Sequence, residues 1–97
     1  MTFEFHPAAE AEFLESVGFY ESRVPGLGKA FLLEFEAFVG LICDTPKQNA
    51  VEYKPDIRQA SLRRFPFKVI YREKYSKIQI LAVAHQRRRP QYWLGRL

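Results

Sequence analysis

The chain begins with a short alternation of apolar and polar residues and then changes to a helical spacing. Residues 2–5, TFEF, alternate, which predicts a first strand. A helix is predicted from Pro7, because proline suits the first helical position, and it ends before the turn signal Pro25-Gly26. Its glutamates are expected to form a solvated face: Glu10, Glu12, Glu15 and Glu21.

A wide aromatic stripe marks a second predicted helix, from about Gly28 to Asp44. Apolar side chains recur there at intervals of three and four residues, which indicates one buried helix face. They are Leu27, Phe31, Phe35, Phe38 and Ile42. Because only about four residues connect the two helices, an antiparallel hairpin is expected.

The second half of the chain changes to the two-residue period of strands after a polar connector, residues 47–56. Strands are predicted over residues 57–65 and 67–73, on either side of a proline, and over residues 77–85. The last strand is apolar on both faces, so it should be central and covered on both sides. One of its faces is expected to carry Ile78, Ile80, Ala82 and Ala84.

These elements predict one α+β domain over residues 1–97, in the order β-α-α-β-β-β. The helical hairpin should cover one face of an antiparallel sheet, and a short C-terminal tail or helix should follow the last strand. A partner segment is then expected to cover the other apolar face or the arginine-rich surface. Exposure of Leu81 and Val83, or their burial under the tail, would decide between a partner and the chain itself.

Composition limits the location and the chemistry. The N-terminus lacks the basic segment and apolar core of a signal peptide, and no apolar run reaches the roughly 18 residues that span a bilayer. The single cysteine, Cys43, cannot form an internal disulfide, which favours a reducing cytoplasm. His6 and His85 are the only histidines and have no metal-site spacing, so neither a metal nor a cofactor is predicted.

Positive charge is concentrated in the second half. Residues 1–52 contain three Lys or Arg against nine Asp or Glu, whereas residues 53–97 contain twelve against two. The two halves therefore carry net charges of −6 and +10, within a total of +4. A contiguous cationic segment favours one positive face, whose partner should be anionic, either nucleic acid or an acidic polypeptide segment.

The C-terminal segment RRRPQYW combines this charge with aromatic rings. It contains Arg87, Arg88, Arg89, Tyr92 and Trp93. Guanidinium groups beside rings suit the binding of phosphates or carboxylates, base stacking and protein hot spots. The alternatives are a solvated basic end, or an aromatic pair that packs on the core while the arginines point outward.

The residues around this segment have two interpretations each. His85 is a candidate general base, or it forms a local hydrogen bond that holds the tail. Arg58, Arg63 and Arg64 are candidates for pairing with glutamates, either those of the first helix or those of a partner. Arg63 and Arg64 are neighbours on a predicted strand and should point to opposite faces. Lys68, beyond the proline, belongs to the same cationic set.

Three segments, in this order and at this length, carry a family resemblance. They are AEAEFLESVGFYESRVPGLGKAFLLEFE, LRRFPFKVIYRE and IQILAVAHQRRRPQYWLGR. Nearly the whole chain resembles the RelE/ParE superfamily of bacterial toxins from type II toxin–antitoxin systems, and it is most similar to the ParE-like branch. The resemblance implies a cytoplasmic toxin encoded beside an antitoxin, whose C-terminal segment wraps the toxin in a hetero-oligomer.

The superfamily contains toxins with two kinds of target. ParE-like members poison DNA gyrase by binding, without known hydrolysis, whereas RelE-like members cleave mRNA on the ribosome. For this chain the resemblance implies gyrase binding, growth inhibition and a role in plasmid stabilisation. Two alternatives stay open: a ribosome-dependent mRNA endonuclease, and a non-toxic domain that binds nucleic acid through charge alone.

Half of the RelE-like catalytic residues have no charged counterpart in this sequence. Matching the tyrosine strand of those enzymes to FKVIY puts Lys68 at the strand arginine, and Gln59 and Ser61 at the two lysine positions. In the nuclease alternative, the catalytic residues would be His85, Arg87, Arg88 and Tyr92. For binding of a target or antitoxin, the expected residues are Arg58, Arg63, Arg64, Lys68, Arg87, Arg88, Arg89, Tyr92 and Trp93.

Overall fold

Two helices and five strands follow one another in the computed structural model, which describes residues 1–97. The elements are β1 (Phe3–Phe5), α1 (Pro7–Arg23), α2 (Leu27–Asp44), β2 (Val51–Tyr53), β3 (Ile57–Ser61), β4 (Phe67–Lys74) and β5 (Lys77–His85). A 3₁₀ turn, Leu94–Arg96, follows near the C-terminus. The predicted α+β class is confirmed. Neither α-helix is long and apolar enough to cross a bilayer.

The strands form one sheet in the order β1-β5-β4-β3-β2. Neighbouring strands are antiparallel, as predicted, except that β1 runs parallel to β5. Strand β5 lies between β1 and β4, which confirms its interior position. The additional strand β2 lies in the polar connector, where three residues are too few to show a two-residue period.

The helices cover one face of the sheet with an aromatic core. Phe13 of α1 and Phe31 and Phe35 of α2 are buried. The ring centroid of Phe13 lies 5.9 Å from that of Phe31 and 4.3 Å from that of Phe35. Offset contacts of this kind add to the free energy gained by burying the rings. The aromatic stripe of α2 is therefore core, as predicted, although Phe38 is only partly buried.

The turn between the helices depends on two glycines. Gly26 has a φ of +90°, a conformation that glycine adopts without a Cβ clash. The Glu21 carboxylate accepts hydrogen bonds from the N–H groups of Gly26 and Gly28, at 2.9 and 3.0 Å, and so caps the start of α2. At Gly28 a Cβ atom would lie 2.6 Å from the carbonyl oxygen of Val17. The close approach of the two helices therefore requires glycine there.

A β-bulge in β5 changes which side chains face the helices. Adjacent residues of β4 pair with Ile80 and Ala82, so Leu81 is an extra residue on β5. Ile80 and Val83 join the helix-side core, whereas Leu81 and Ala82 both join the core on the other face. The expected alternation of β5 side chains between the two faces is therefore wrong beyond Ile80. A bulge cannot be recognised from the spacing of apolar residues in the sequence.

The tail, residues 86–97, covers the second face of the sheet, which is the face opposite the helices. Trp93 is 1% exposed and packs there against buried strand residues. These are Ile57, Ile70, Leu81, Ala82 and Ala84. Leu81, on this face, is 0% exposed, and Val83, on the helix face, is 2% exposed. The expectation that a partner segment covers this apolar face is therefore wrong, since the chain covers it with its own tail.

Candidate functional site

The tail leaves β5 and folds back across the second face. The N–H of Arg88 donates to the carbonyl oxygen of His85 at 3.0 Å, which closes the first turn. Further on, Trp93 enters the apolar cluster and meets the ring of Tyr53 edge to face, with 6.1 Å between centroids. Burial of so large a side chain is strongly favourable. The tail is therefore an anchored part of the fold rather than a free arm.

Glu12 of α1 ties the tail to the first helix. Its carboxylate accepts a hydrogen bond from the Tyr92 hydroxyl at 2.6 Å and one from each Nη of Arg96 at 2.9 Å. The N–H of Val83 donates to the same carboxylate at 3.1 Å. The side chains of Glu12 and Arg96 are only 16% and 17% exposed, so this is a largely buried and fully paired cluster. The expectation that Glu12 lies on a solvated face is wrong.

This Glu12 cluster, comprising Glu12, Tyr92 and Arg96, changes the acidity of its members. Burial alone raises the pKa of Glu12, but the hydrogen bonds from Arg96, Tyr92 and Val83 outweigh it and lower that pKa below its ordinary value. Burial, together with the Glu12 acceptor, raises the pKa of Tyr92 far above its ordinary value. The Tyr92 hydroxyl therefore stays protonated and donates to Glu12 in this arrangement.

A small cationic cavity, the arginine pocket, lies between the tail and the end of β5 and has a volume of about 90 Å³. Its lining includes Lys68, His85, Arg88, Arg89, Tyr92 and Trp93. The Cζ atom of Arg88 lies 3.9 Å from the Tyr92 ring centroid, a cation–π contact. None of the four ion pairs in the molecule involves Arg88 or Arg89. The pocket therefore presents unpaired positive charge on an aromatic support.

Most of the tail residues predicted as a site border this pocket, but their roles differ. Arg87 is exposed and does not line it. Lys68 lines it, while its amine pairs with Glu52 at 3.1 Å. Trp93 is buried and supports the tail from below. The free cations at the pocket are consequently those of Arg88 and Arg89.

His85 lines the arginine pocket but is engaged by its own chain. Its Nδ1 accepts a hydrogen bond from the N–H of Arg87 at 3.0 Å, so the neutral ring carries its proton on Nε2. The ring packs edge-on against Phe67, with 5.1 Å between centroids. The Nδ1 lone pair of His85 is therefore engaged by the backbone of its own tail in this arrangement.

The strand positions that correspond to the RelE-like lysines are uncharged and do not line the pocket. Ser61 pairs directly with Lys68 across β3 and β4, and Gln59 pairs with Ile70. Lys68 is thus the only cation among these three positions, and Glu52 largely neutralises it. No group of three or more His, Cys, Asp or Glu side chains is arranged to hold a metal ion.

Comparison with known proteins classifies the chain. The family model described as "ParE toxin of type II toxin-antitoxin system, parDE" matches residues 3–90. The chain belongs to the ParE toxin family. A solved structure described as "Chromosomal ParDE TA system from P. aeruginosa" contains a similar fold, with a TM-score of 0.74 and 23% sequence identity. That match covers 88% of this chain and 95% of the other. No match was found among curated proteins.

Three predicted arginines of this ParE family chain lie away from the arginine pocket. Arg58 donates to the carbonyl oxygen of Asn49 at 2.7 Å. The N–H groups of Arg63 and Arg64 donate to Oε2 of Glu34 at 2.8 and 2.9 Å. The Nε of Arg64 donates to Oε1 of Glu34 at 3.1 Å. Of the three, only Arg64 forms an ion pair, and its partner Glu34 lies on α2, not on α1 as one alternative expected. Glu34 also fixes the loop between β3 and β4 through the two backbone N–H groups.

Sequence reasoning did not single out two members of the Glu12 cluster in this ParE family chain, Glu12 and Arg96. Each resembles an ordinary surface charge, and 84 positions separate them in the chain. No local spacing connects them. Only the packing of α1 against β5, followed by the return of the tail, brings the two side chains together.

Proposed function

We propose that this chain is the toxin of a toxin–antitoxin pair, that it binds DNA gyrase and stops its turnover, and that a cognate antitoxin neutralises it. One observation carries the choice of a binding toxin over a cleaving one. The arginine pocket offers positive charge on an aromatic support, while His85 and Tyr92, its two candidate proton-transfer groups, are both engaged within the chain. RNA cleavage requires a free base and a free acid at the reacting atoms.

The arginine pocket suits an anionic group on the target. Arg88 and Arg89 have no carboxylate partner in the chain, and a guanidinium binds a carboxylate or a phosphate through paired hydrogen bonds. Because the tail is already anchored by Trp93, binding does not have to order it. Less conformational entropy is then lost on association, which favours affinity.

Exposed apolar side chains on the outer sides of the helices support the proposal that an antitoxin segment binds there. Leu14 of α1 and Leu33 and Leu41 of α2 are 60%, 54% and 61% exposed. Leu33 and Leu41 lie about two turns apart and therefore on one side of α2. Exposed apolar side chains, together with a cationic tail, support an amphipathic and acidic partner in a hetero-oligomer. In the cytoplasm, the bound antitoxin would prevent the toxin from inhibiting growth. The toxin and antitoxin together would support plasmid stabilisation.

A gyrase supercoiling assay with the purified protein tests this function. The wild-type protein should inhibit supercoiling, and Arg88→Ala should weaken inhibition about tenfold or more, as truncation of an interface arginine typically does. Lys29→Ala is the matched control, because it removes an exposed cation on α2 that lies outside the arginine pocket. No inhibition by the wild-type protein at a large molar excess over gyrase would contradict the proposal.

A further inference from the structure

A chain of contacts links Glu12 to Arg88, one of the two free arginines of the pocket. The Tyr92 hydroxyl donates to Glu12 at 2.6 Å, which fixes the direction of the tyrosine ring. The guanidinium groups of Arg88 and Arg96 both lie over that ring, with Cζ-to-centroid distances of 3.9 and 5.1 Å. Arg96 is itself held by Glu12, whereas Arg88 has no partner other than the ring. The position of Arg88 therefore depends on Tyr92, and that of Tyr92 on Glu12.

We propose that Glu12 is a positioning residue for target binding: it holds the Tyr92 ring so that Arg88 is preset to meet an anionic group of the target. This inference rests on the proposed function and adds a residue to it that touches no target. The physical reason is entropic. A free arginine side chain loses rotamer freedom when it is immobilised in an interface, and a ring that already holds the guanidinium removes part of that loss.

The first helix supplies a matched comparison for Glu12. Glu15 lies less than one turn further along α1. It lines a second cavity, separate from the arginine pocket, together with Glu12 and Arg88. It is exposed, and no hydrogen bond joins it to the tail. Glu12→Gln and Glu15→Gln change the net charge by the same amount in the same place. Only the first of them removes the charge that holds Arg96 and leaves a single acceptor oxygen where the carboxylate offers two, because glutamine places an NH₂ group at the other position.

The first test measures the position of Arg88 without any target. A guanidinium that sits over an aromatic ring has side-chain proton resonances shifted upfield by the ring current. We expect this shift in the wild-type protein and in Glu15→Gln, and its collapse in Glu12→Gln, with the helical circular dichroism retained. If Glu12→Gln does not fold, Tyr92→Phe keeps the ring and removes only the hydroxyl, and it should reduce the shift. An unchanged Arg88 shift in the folded variant overturns the proposal.

The second test asks whether Glu12 acts through Arg88. In the supercoiling assay, Glu12→Gln should raise the half-inhibitory concentration about tenfold, and the double variant with Arg88→Ala should be no weaker than Arg88→Ala alone. Effects that multiply would show that Glu12 acts by another route and would overturn the proposal. A wild-type protein that fails to inhibit gyrase, while Glu12→Gln still collapses the Arg88 shift, would overturn the proposed target and leave the positioning role intact.

Discussion

Arg96 and Glu12 join the end of the chain to its first helix through two parallel hydrogen bonds, each 2.9 Å long. Replacing Arg96 with leucine leaves a poorly exposed carboxylate without its charge partner. We expect Arg96→Leu to lower the free energy of unfolding by about 2–4 kcal/mol. Urea denaturation measures this loss, and the emission of Trp93, the only tryptophan, reports release of the tail.

Lys77→Leu is the control for that measurement. The Lys77–Glu4 pair is 3.9 Å long, and its side chains are 54% and 56% exposed. Exposed pairs of this kind contribute only about 0–1 kcal/mol, so this variant should stay close to the wild-type protein. Equal losses in the two variants would show that the Glu12–Arg96 pair contributes no more than a surface pair.

Among the side chains on the second face, Trp93 should contribute most to the free energy of unfolding. Trp93→Ala opens a cavity in a buried cluster, and we expect a loss of about 3–5 kcal/mol in the free energy of unfolding. Such a loss is a large fraction of the stability of a small domain. Tyr75→Ala, at a side chain that is 88% exposed, should change stability by less than about 0.5 kcal/mol. Thermal unfolding of both variants measures this contrast. A Trp93→Ala variant as stable as the wild-type protein would show that packing of the tail does not contribute to stability.

Apolar periodicity was sufficient to predict both helices, the existence of the three longer strands and the core role of the α2 stripe. The reason is that Phe31 and Phe35 recur at the helical period, so both lie on one face of α2, and that face is buried in the core. Two features of the sheet have no such pattern. Strand β2 is too short to show a period, and the bulge at Leu81 depends on pairing with β4. The predicted end of β3 at residue 65 is wrong, because β3 ends at Ser61 and Arg63 and Arg64 lie in the loop that follows.

The candidate site was predicted only in part, because its residues meet through tertiary contacts. The composition of the tail was sufficient to single out Arg88, Arg89 and Tyr92, which do border one pocket. It did not show that Trp93 is buried, or that Glu12 fixes the tail from the other side of the sheet. Both facts depend on the path of the tail, which no local pattern specifies.

The lowered pKa of Glu12 predicts how stability depends on pH. Its pKa in the folded state lies below the ordinary value of 4.5, so its contribution is complete above that value and is lost as the pH falls through the folded pKa. Arg96 and Tyr92 bind the carboxylate, while Arg88, His85 and Glu15 border the same cavity.

Urea denaturation of the wild-type protein and Glu12→Gln over a pH series measures this dependence. The variant should be the less stable protein at pH 7, and the difference should shrink as the pH falls below about 4.5. A difference that stays constant down to strongly acidic pH would contradict the assignment of the lowered pKa to Glu12.

Glu34 and Arg64 form an ion pair whose two members should contribute unequally. Glu34 also accepts hydrogen bonds from the N–H groups of Arg63 and Arg64, so Glu34→Ala leaves two backbone donors without their acceptor. We expect this change to cost about 1–3 kcal/mol. Arg64→Ala removes a side chain that is 65% exposed and should cost at most about 1 kcal/mol. Chemical denaturation of both variants is the measurement, and a larger loss in Arg64→Ala would refute this account of the loop.

The engaged state of His85 and Tyr92 predicts that the protein does not cleave mRNA. On translating ribosomes the wild-type protein should leave the message intact, because Nδ1 of His85 accepts from Arg87 and the Tyr92 hydroxyl donates to Glu12. Primer extension on the message measures cleavage, with a known ribosome-dependent nuclease as the positive control. Cleavage that disappears in His85→Ala or Tyr92→Phe would show that target binding frees these groups, and the nuclease function would then replace gyrase binding.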